Sequence, residues 1–526
     1  TALFAVLGIM IVLNAVLALV VVNALRGSPW GTFTILLTIP IAMLMGVYLR
    51  WLRPGRVLEA SAIGIVLLIF ALYAGKWVAE SATLGPMFTL SGTTLAWSIM
   101  IYGFAASVLP VWLLLAPRDY LSAFVKIGVV VGLAVGIIVL LPPLQMPALT
   151  RFTDGTGPVF AGKLFPFAFI TIACGAISGF HALISSGTTP KIIENEADAR
   201  LVGYGSMLME SLVAILALIA ACVLTPGVYF AINAPAAALG TTVESAAIAI
   251  QNWGFTVTPA ELTALANNIG ESSILSRTGG APSLAIGMAY IFSNVFGGGA
   301  MAMWYHFAIM FEAIFILTTI DAGTRVGRFM VQDLAKHVWE PIGRVSWYPA
   351  VVMSSAIIVA MWGYFLYQGV VDPLGGINSL WPLFGISNQL LATVALCVGT
   401  TIIIKMGKAR YVYLTMIPLT WLVAVTMTAG WQKIFSADPK LGFLSHASWV
   451  KEAIASGTLP AAVRSIEVGQ RLVFNDYLNT AVAAFFMISV VVILADSLRE
   501  WMSVLGGRKP AVSTEVPFEP VPVTGD

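Results

Sequence analysis

Charged residues are scarce in this sequence. Asp, Glu, Lys and Arg make up 10% of its 526 residues, against roughly 25% in soluble domains. So little charge excludes an ordinary soluble globular protein, and an apolar content of 59% excludes a disordered chain. The 27 basic and 25 acidic residues nearly cancel, so we expect no nucleic-acid partner, which would require a basic excess. What remains is an all-α, polytopic membrane protein.

Cysteine and histidine are also rare. The three cysteines, at positions 174, 222 and 397, lie in apolar stretches and are too few for a disulfide framework. The four histidines are widely spaced, and the sequence has no motif for nucleotide phosphates, zinc proteases or serine hydrolases. We therefore expect no metal, no cofactor and no enzymatic activity. Any transport would be driven by an ion gradient rather than by ATP.

Long apolar runs dominate what is present. A membrane-spanning helix needs about 20 mostly apolar residues, and twelve segments meet or approach that length. A thirteenth, 281–296, is shorter and flanked by glycines, which favours a re-entrant element shielded by protein or water. The twelve segments are 1–25, 32–49, 59–79, 95–116, 121–141, 164–184, 201–224, 303–321, 349–367, 380–404, 411–430 and 478–496.

The loops predict the orientation of these segments. Lys and Arg concentrate on alternate short loops, and such residues favour the cytoplasmic side, so both chain ends are expected in the cytoplasm if 281–296 does not cross. In a long external loop, a capping box from Thr258 to Glu261 predicts a short helix that ends near Gly270. Residues 501–526 are expected to form a disordered cytoplasmic tail.

The densest group of polar residues inside an apolar segment lies at 174–191. Gly175 and Gly179 are four residues apart, which lets a neighbouring helix approach closely. Pro190 disfavours helix at the residue before it, so the helix is expected to unwind at 185–190 and to present donors to a substrate carboxylate. An ordinary helix end is the alternative, and His181 is either a satisfied interior histidine or a proton-sensing or substrate-binding group. The other candidates in this segment are Ser178, Ser185, Ser186, Gly187, Thr188, Thr189 and Lys191.

Two carboxylates lie within apolar segments. Glu210 is near the middle of 201–224, where a carboxyl group must be protonated, paired or hydrated. Carboxylates at such positions in carriers often relay protons, and a buried structural pair is the alternative. Glu312 follows Tyr305 by seven residues, so the two share a helix face and are candidates for a transport path.

Other polar residues near segment ends have structural or gating interpretations. Asp321 and Arg325 are four residues apart and are expected to pair at the cytoplasmic end of their helix. Asp372 belongs to a loop that leads into the next helix. Asn388 and Gln389, inside that helix, need hydrogen-bond partners, which are either neighbouring helices or the substrate.

Several long motifs resemble those of the carbon starvation protein A family. The likeness covers residues 1 to about 500, and its motifs are 48–56, 109–120, 178–191, 203–210, 304–309, 321–325, 369–378 and 381–385. The resemblance implies a secondary transporter of the bacterial inner membrane, with inverted repeats and broken helices. It also implies a core at 1–300 and a C-terminal five-helix region at 301–500. The family has further helices before the position of residue 1, and we expect this chain to lack them.

The resemblance also implies the substrate. Family members are associated with peptide uptake during carbon starvation, and close relatives carry pyruvate with protons. The expected partners are therefore a peptide or pyruvate, a coupling ion (a proton or sodium) and the lipid bilayer. On this interpretation Glu210 or His181 handles the coupling proton. A membrane-embedded nutrient sensor is the alternative function.

Overall fold

The computed structural model describes residues 2–187, 193, 195–297, 300–372, 376–460, 463 and 465–511. Helix is the only regular structure among these residues. The α-helices are α1 (Ala2–Leu25), α2 (Pro29–Val47), α3 (Val57–Glu80), α4 (Leu84–Phe88), α5 (Gly92–Val108), α6 (Leu115–Leu140), α7 (Leu164–Ile172), α8 (Gly179–Gly187), α9 (Asp198–Cys222), α10 (Pro226–Asn233), α11 (Ala236–Leu239), α12 (Val243–Asn252), α13 (Pro259–Ile269), α14 (Ala281–Phe296), α15 (Met301–Ala335), α16 (Tyr348–Val371), α17 (Gly376–Lys405), α18 (Tyr413–Phe435), α19 (Phe443–Ala455) and α20 (Ile466–Leu505).

Within the described ranges, ten helices are long and apolar enough to cross a membrane. They are α1, α2, α3, α6, α9, α15, α16, α17, α18 and α20, and shorter apolar helices include α5, α7 and α14. The predicted all-α, polytopic class is therefore confirmed. The short segment 281–296 forms α14 with the predicted bounds. The total of twelve spans and the re-entrant path of 281–296 remain predictions.

Two of the predicted spans are interrupted. In the segment 95–116, α5 ends at Val108 and Leu109 is extended, because the following Pro110 disfavours helix at that residue. In the segment 164–184, α7 and α8 are separated by a non-helical stretch at 176–178 that follows a short 3₁₀ turn. A broken helix of this kind is tolerated at membrane depth only where other groups satisfy its backbone.

α1 lies at the centre of the molecule. It is apolar on all sides, and 83% of its most apolar window is buried. It packs against α15, α16, α17 and α20. A helix without a polar face is stable only when it is surrounded, so α1 organises the remaining long helices around itself.

Four short helices, α10 to α13, connect α9 to α14, and α12 packs against the other three. α13 begins with the predicted capping box: Thr258 Oγ1 accepts a hydrogen bond from Glu261 N (3.2 Å), and Thr258 N donates to the Glu261 carboxylate (2.8 Å). The helix ends at Gly270, which has φ +73°, a conformation that glycine adopts without strain. The predicted helix in this loop is confirmed, and its C-terminus lies next to α15.

The start of the predicted tail is wrong. α20 continues to Leu505, and Trp501 is buried, with its Nε1 donating to Thr401 Oγ1 on α17 (2.8 Å). The helix persists because its apolar residues keep packing on α17 past residue 500. Residues 512–526 of the predicted tail lie outside the described residues. The division between 1–300 and 301–500 remains a prediction.

Candidate functional site

The candidate site is built around the break between α7 and α8. After Ile172 the backbone turns at Ala173, which has φ +49°, and helix resumes at Gly179. Two amides of α17 bind the backbone groups that the break leaves open. Asn388 Nδ2 donates to Ile177 O (2.9 Å), and Asn388 Oδ1 accepts from Phe180 N (3.2 Å).

Further contacts hold the first half of the broken helix against α17. Gln389 Nε2 donates to Phe169 O (2.7 Å), and Trp381 Nε1 donates to Thr171 O (3.1 Å). Asn388 and Gln389 are fully buried. Of the two alternatives for these amides, the structure therefore shows hydrogen bonds to a neighbouring helix.

Glycine allows α17 to approach both halves of the broken helix. A Cβ added at Gly179 would lie 2.0 Å from Asn388 O, and one added at Gly385 would lie 2.2 Å from Ile170 O. Both distances are far below van der Waals contact, so neither position accommodates a side chain. For Gly175, by contrast, the nearest atom belongs to its neighbour Ile172.

His181 and Glu210 meet beside the break. His181 Nδ1 on α8 lies 3.5 Å from Glu210 Oε2 on α9, and the backbone N of His181 donates to Ser178 Oγ (3.4 Å). The His181 and Glu210 side chains are 59% and 43% exposed, so this face is not covered by the rest of the described chain. Sequence reasoning selected both residues separately, and the structure brings them together.

The predicted unwinding at 185–190 is wrong for residues 185–187, which are helical. Ser185 and Gly187 belong to α8, and Ser185 Oγ donates to Ala182 O (3.0 Å). The break lies upstream, because α17 provides partners for the backbone there and a proline acts mainly on the residue before it. Thr188, Thr189, Pro190 and Lys191 lie outside the described residues, as does the side chain of Ser186.

Tyr305 and Glu312 do not join this site through any contact of the described residues. Tyr305 is buried, and its hydroxyl accepts from Arg277 Nη1 (3.5 Å). Glu312 is partly exposed and forms no hydrogen bond or ion pair within the described ranges. Asp372 follows α16 directly and lines a cavity of about 20 Å³ with Asn475 and Asn479.

Near the N-terminus of α15, Glu271 and Arg277, which sequence reasoning missed, form a second polar cluster with His306. Arg277 Nη2 forms a salt bridge with Glu271 Oε2 (2.7 Å), and His306 Nε2 lies 4.0 Å from Glu271 Oε1. The His306 ring stacks on Trp30 with centroids 4.0 Å apart. Glu271 and Arg277 lie in a loop, where charge normally indicates solvent exposure, so only their burial in the fold reveals the cluster.

The predicted pairing of Asp321 with Arg325 is wrong. Asp321 is fully buried and lies 3.7 Å from Arg118 Nη1, and it accepts a hydrogen bond from Tyr102. Arg325 instead donates to Ala106 O and Leu109 O at the end of α5. Those carbonyls are free because Pro110 terminates α5, and a cation is favoured at a helix C-terminus.

Comparison with known proteins places the chain in a family. The family model described as "Carbon starvation protein CstA" matches residues 1–429. This chain belongs to the carbon starvation protein CstA family. The resemblance inferred from the motifs is therefore confirmed. No solved structure matches the chain.

Curated relatives in the CstA family carry the names of transporters. Peptide transporter CstA of Escherichia coli K12 is 55% identical over 520 residues, which are 98% of this chain and 74% of that protein. Pyruvate/proton symporter BtsT of the same organism is 49% identical over 547 residues, covering 100% of this chain and 76% of BtsT. Peptide transporter CstA of Campylobacter jejuni is 54% identical over 512 residues, covering 94% of this chain and 73% of the relative. These names fit a nutrient transporter rather than a sensor or an enzyme.

Proposed function

We propose that this chain is a secondary transporter that carries peptides or pyruvate into the bacterial cell together with protons, across the inner membrane. Its family membership and the ten long apolar helices of the described ranges support transport. The observation that carries the coupling mechanism is the His181–Glu210 pair beside the break. On this proposal the C-terminus is cytoplasmic, as the distribution of basic residues favours.

The pair has the chemistry of a proton carrier. A carboxylate and an imidazole in contact are negative without an added proton and neutral with one, since either group can hold the proton. A negative pair is costly at membrane depth, so protonation favours the state that moves through the apolar region. A proton that travels with a pyruvate anion makes the transported pair electrically neutral.

On this proposal the substrate binds beside the break, next to the coupling pair. Ser178 offers a hydroxyl next to His181. Ser185 lies one turn further along α8, with its hydroxyl bonded to Ala182 O, and Ser186, Thr188 and Thr189 follow in the sequence. Hydroxyl donors are suited to a carboxylate oxygen. Glu312, partly exposed and free of partners within the described ranges, is proposed as a further polar group on the path.

Glu210→Gln tests the coupling role. Proteoliposomes that contain the chain are given an inward proton gradient, and accumulation of labelled pyruvate and labelled dialanine is measured. A second assay measures exchange of labelled for unlabelled substrate without a gradient. We expect Glu210→Gln to abolish gradient-driven accumulation and to retain exchange, because exchange needs no net release of a proton.

The control is Glu244→Gln, which neutralises an exposed carboxylate on α12 and should accumulate substrate as the unchanged chain does. The coupling role is rejected if Glu210→Gln accumulates substrate normally and with unchanged pH dependence. A sodium gradient applied at equal pH distinguishes the two coupling ions. Accumulation driven by sodium alone contradicts proton coupling.

A further inference from the structure

Lys433 is a buried cation that the proposed mechanism does not use. It lies near the C-terminal end of α18 and is only 4% exposed. Its Nζ lies 5.4 Å from the centroid of the Phe443 ring and 5.8 Å from that of Phe160. Three separate parts of the chain, namely α18, the loop before α7 and the start of α19, thus meet around one ammonium group.

Within the described ranges, the ammonium group has no oxygen partner. None of the described residues forms a hydrogen bond or a salt bridge with Lys433 Nζ. Aromatic faces stabilise a cation electrostatically, but they leave the three N–H donors of an ammonium group without acceptors. A buried cation with unused donors favours an anion that supplies oxygen atoms.

The nearest acidic groups are engaged elsewhere. Asp476 and Asp438 are close enough to interact electrostatically with Lys433. Asp476 Oδ2, however, is bound to His446 Nδ1 (2.6 Å), and Asp438 Oδ1 accepts from Lys440 N in an exposed turn (2.9 Å). These carboxylates moderate the local charge without occupying the donors of Lys433.

The position of Lys433 suits recognition of a substrate before it reaches the break. Phe160 packs on Phe167 of α7 (centroids 5.8 Å apart), so Lys433 lies near the N-terminal end of α7. The break and the His181–Glu210 pair follow the other end of this nine-residue helix. Nine helical residues span about 14 Å, so the two sites are separate and lie at opposite ends of α7.

We propose that Lys433 binds the carboxylate of the transported peptide or pyruvate, with Phe160 and Phe443 forming the walls of the subsite. This inference rests on the proposed function and deepens it, since it names the group that recognises the acid. Both substrate classes carry a carboxylate, which explains how one family can include carriers of either. Removal of the ammonium group should therefore weaken the binding only of ligands that carry a carboxylate.

The test compares a carboxylate ligand with its neutral analogue. Uptake of the labelled substrate into proteoliposomes is inhibited with unlabelled dialanine or with dialanine amide, which lacks the carboxylate. In the unchanged chain we expect dialanine to inhibit at lower concentrations than the amide. In Lys433→Gln, the concentration of dialanine for half-inhibition should rise about 10- to 100-fold, as expected for a lost hydrogen bond to a charged group. The value for the amide should stay the same.

Two further variants keep the result interpretable. Lys451→Gln removes an exposed lysine on α19 that contacts Tyr477, and it should leave both values unchanged. Lys433→Met, which retains the unbranched shape and most of the length of the side chain, replaces Lys433→Gln if the latter aggregates. The proposal is overturned if loss of the ammonium group weakens inhibition by dialanine and by its amide equally, or weakens inhibition by neither.

Failure of the inference can be distinguished from failure of the proposed function. If the unchanged chain accumulates neither labelled substrate, the proposed function fails. Calorimetric titration of the purified chain with dialanine, its amide and pyruvate then tests Lys433 by itself. Equal affinity of Lys433→Gln and the unchanged chain for dialanine and pyruvate overturns the subsite.

Discussion

At the scale of single residues, Asn388 is matched to the helix break that it supports. Its amide has a donor for Ile177 O and an acceptor for Phe180 N. Aspartate has the same shape without the donor, and leucine has neither group. Since Asn388 is fully buried, its replacement leaves the buried Phe180 amide and the partly buried Ile177 carbonyl without this partner.

Asn388→Leu should destabilise the protein, because the buried Phe180 amide and the partly buried Ile177 carbonyl lose their partner, at up to about 1–3 kcal/mol for each group. The measurement is the midpoint of thermal unfolding in detergent. Asn388→Asp should cause a smaller loss, because only the donor is removed. The matched control is Asn294→Leu, an exposed amide that bonds within its own helix. Equal midpoints for Asn388→Leu and Asn294→Leu would contradict the role of Asn388.

At the scale of elements, α17 packs closely against both halves of the broken helix, α7 and α8. Gly385 and Gly179 remove the side chains that would separate these helices. A comparable contact joins α14 to α9, where a Cβ at Gly287 would lie 2.0 Å from Ala220 O. Small residues at such crossings are the usual means of close helix packing in membranes.

Gly179→Ala should displace α8 from α17, since the added methyl group would lie 2.0 Å from Asn388 O and 2.7 Å from Ala392 N. We expect lower thermal stability and loss of transport, measured in detergent and in proteoliposomes respectively. Gly203→Ala on α9 is the control, because nothing lies within 4 Å of its added Cβ. Alanine is the better helix former, so this control should be neutral or slightly stabilising. Full transport by Gly179→Ala would refute the close-packing account.

At the scale of the whole molecule, local sequence patterns predict individual helices. They do not predict contacts between residues that are far apart in the sequence. The apolar runs predict the long helices, and the capping box at Thr258 predicts α13. Arg118 and Asp321, by contrast, belong to α6 and α15, so no spacing rule relates them. Local patterns also fail to predict the position of the helix break, because its backbone groups bind Asn388 of α17 and the local proline does not determine it. For the same reason, the sequence predicts His181 and Glu210 as candidates but does not predict that they contact each other.

The orientation of the whole molecule makes a separate prediction. Cysteine is placed at Lys408 or at Lys440, both exposed, in a chain whose three native cysteines are replaced. With a cytoplasmic C-terminus, Lys440→Cys should react with an impermeant maleimide on intact cells. Lys408→Cys should react only after the membrane is permeabilised. The reverse pattern would contradict the proposed orientation.

Proton flux measured together with substrate flux tests the central claim most directly. Proteoliposomes with an internal pH-sensitive dye and no imposed gradient receive labelled pyruvate or dialanine outside. We predict internal acidification that accompanies entry of the substrate in the unchanged chain, and none in Glu210→Gln. Substrate entry with no acidification in the unchanged chain, or the same acidification in Glu210→Gln, would contradict proton coupling through the His181–Glu210 pair.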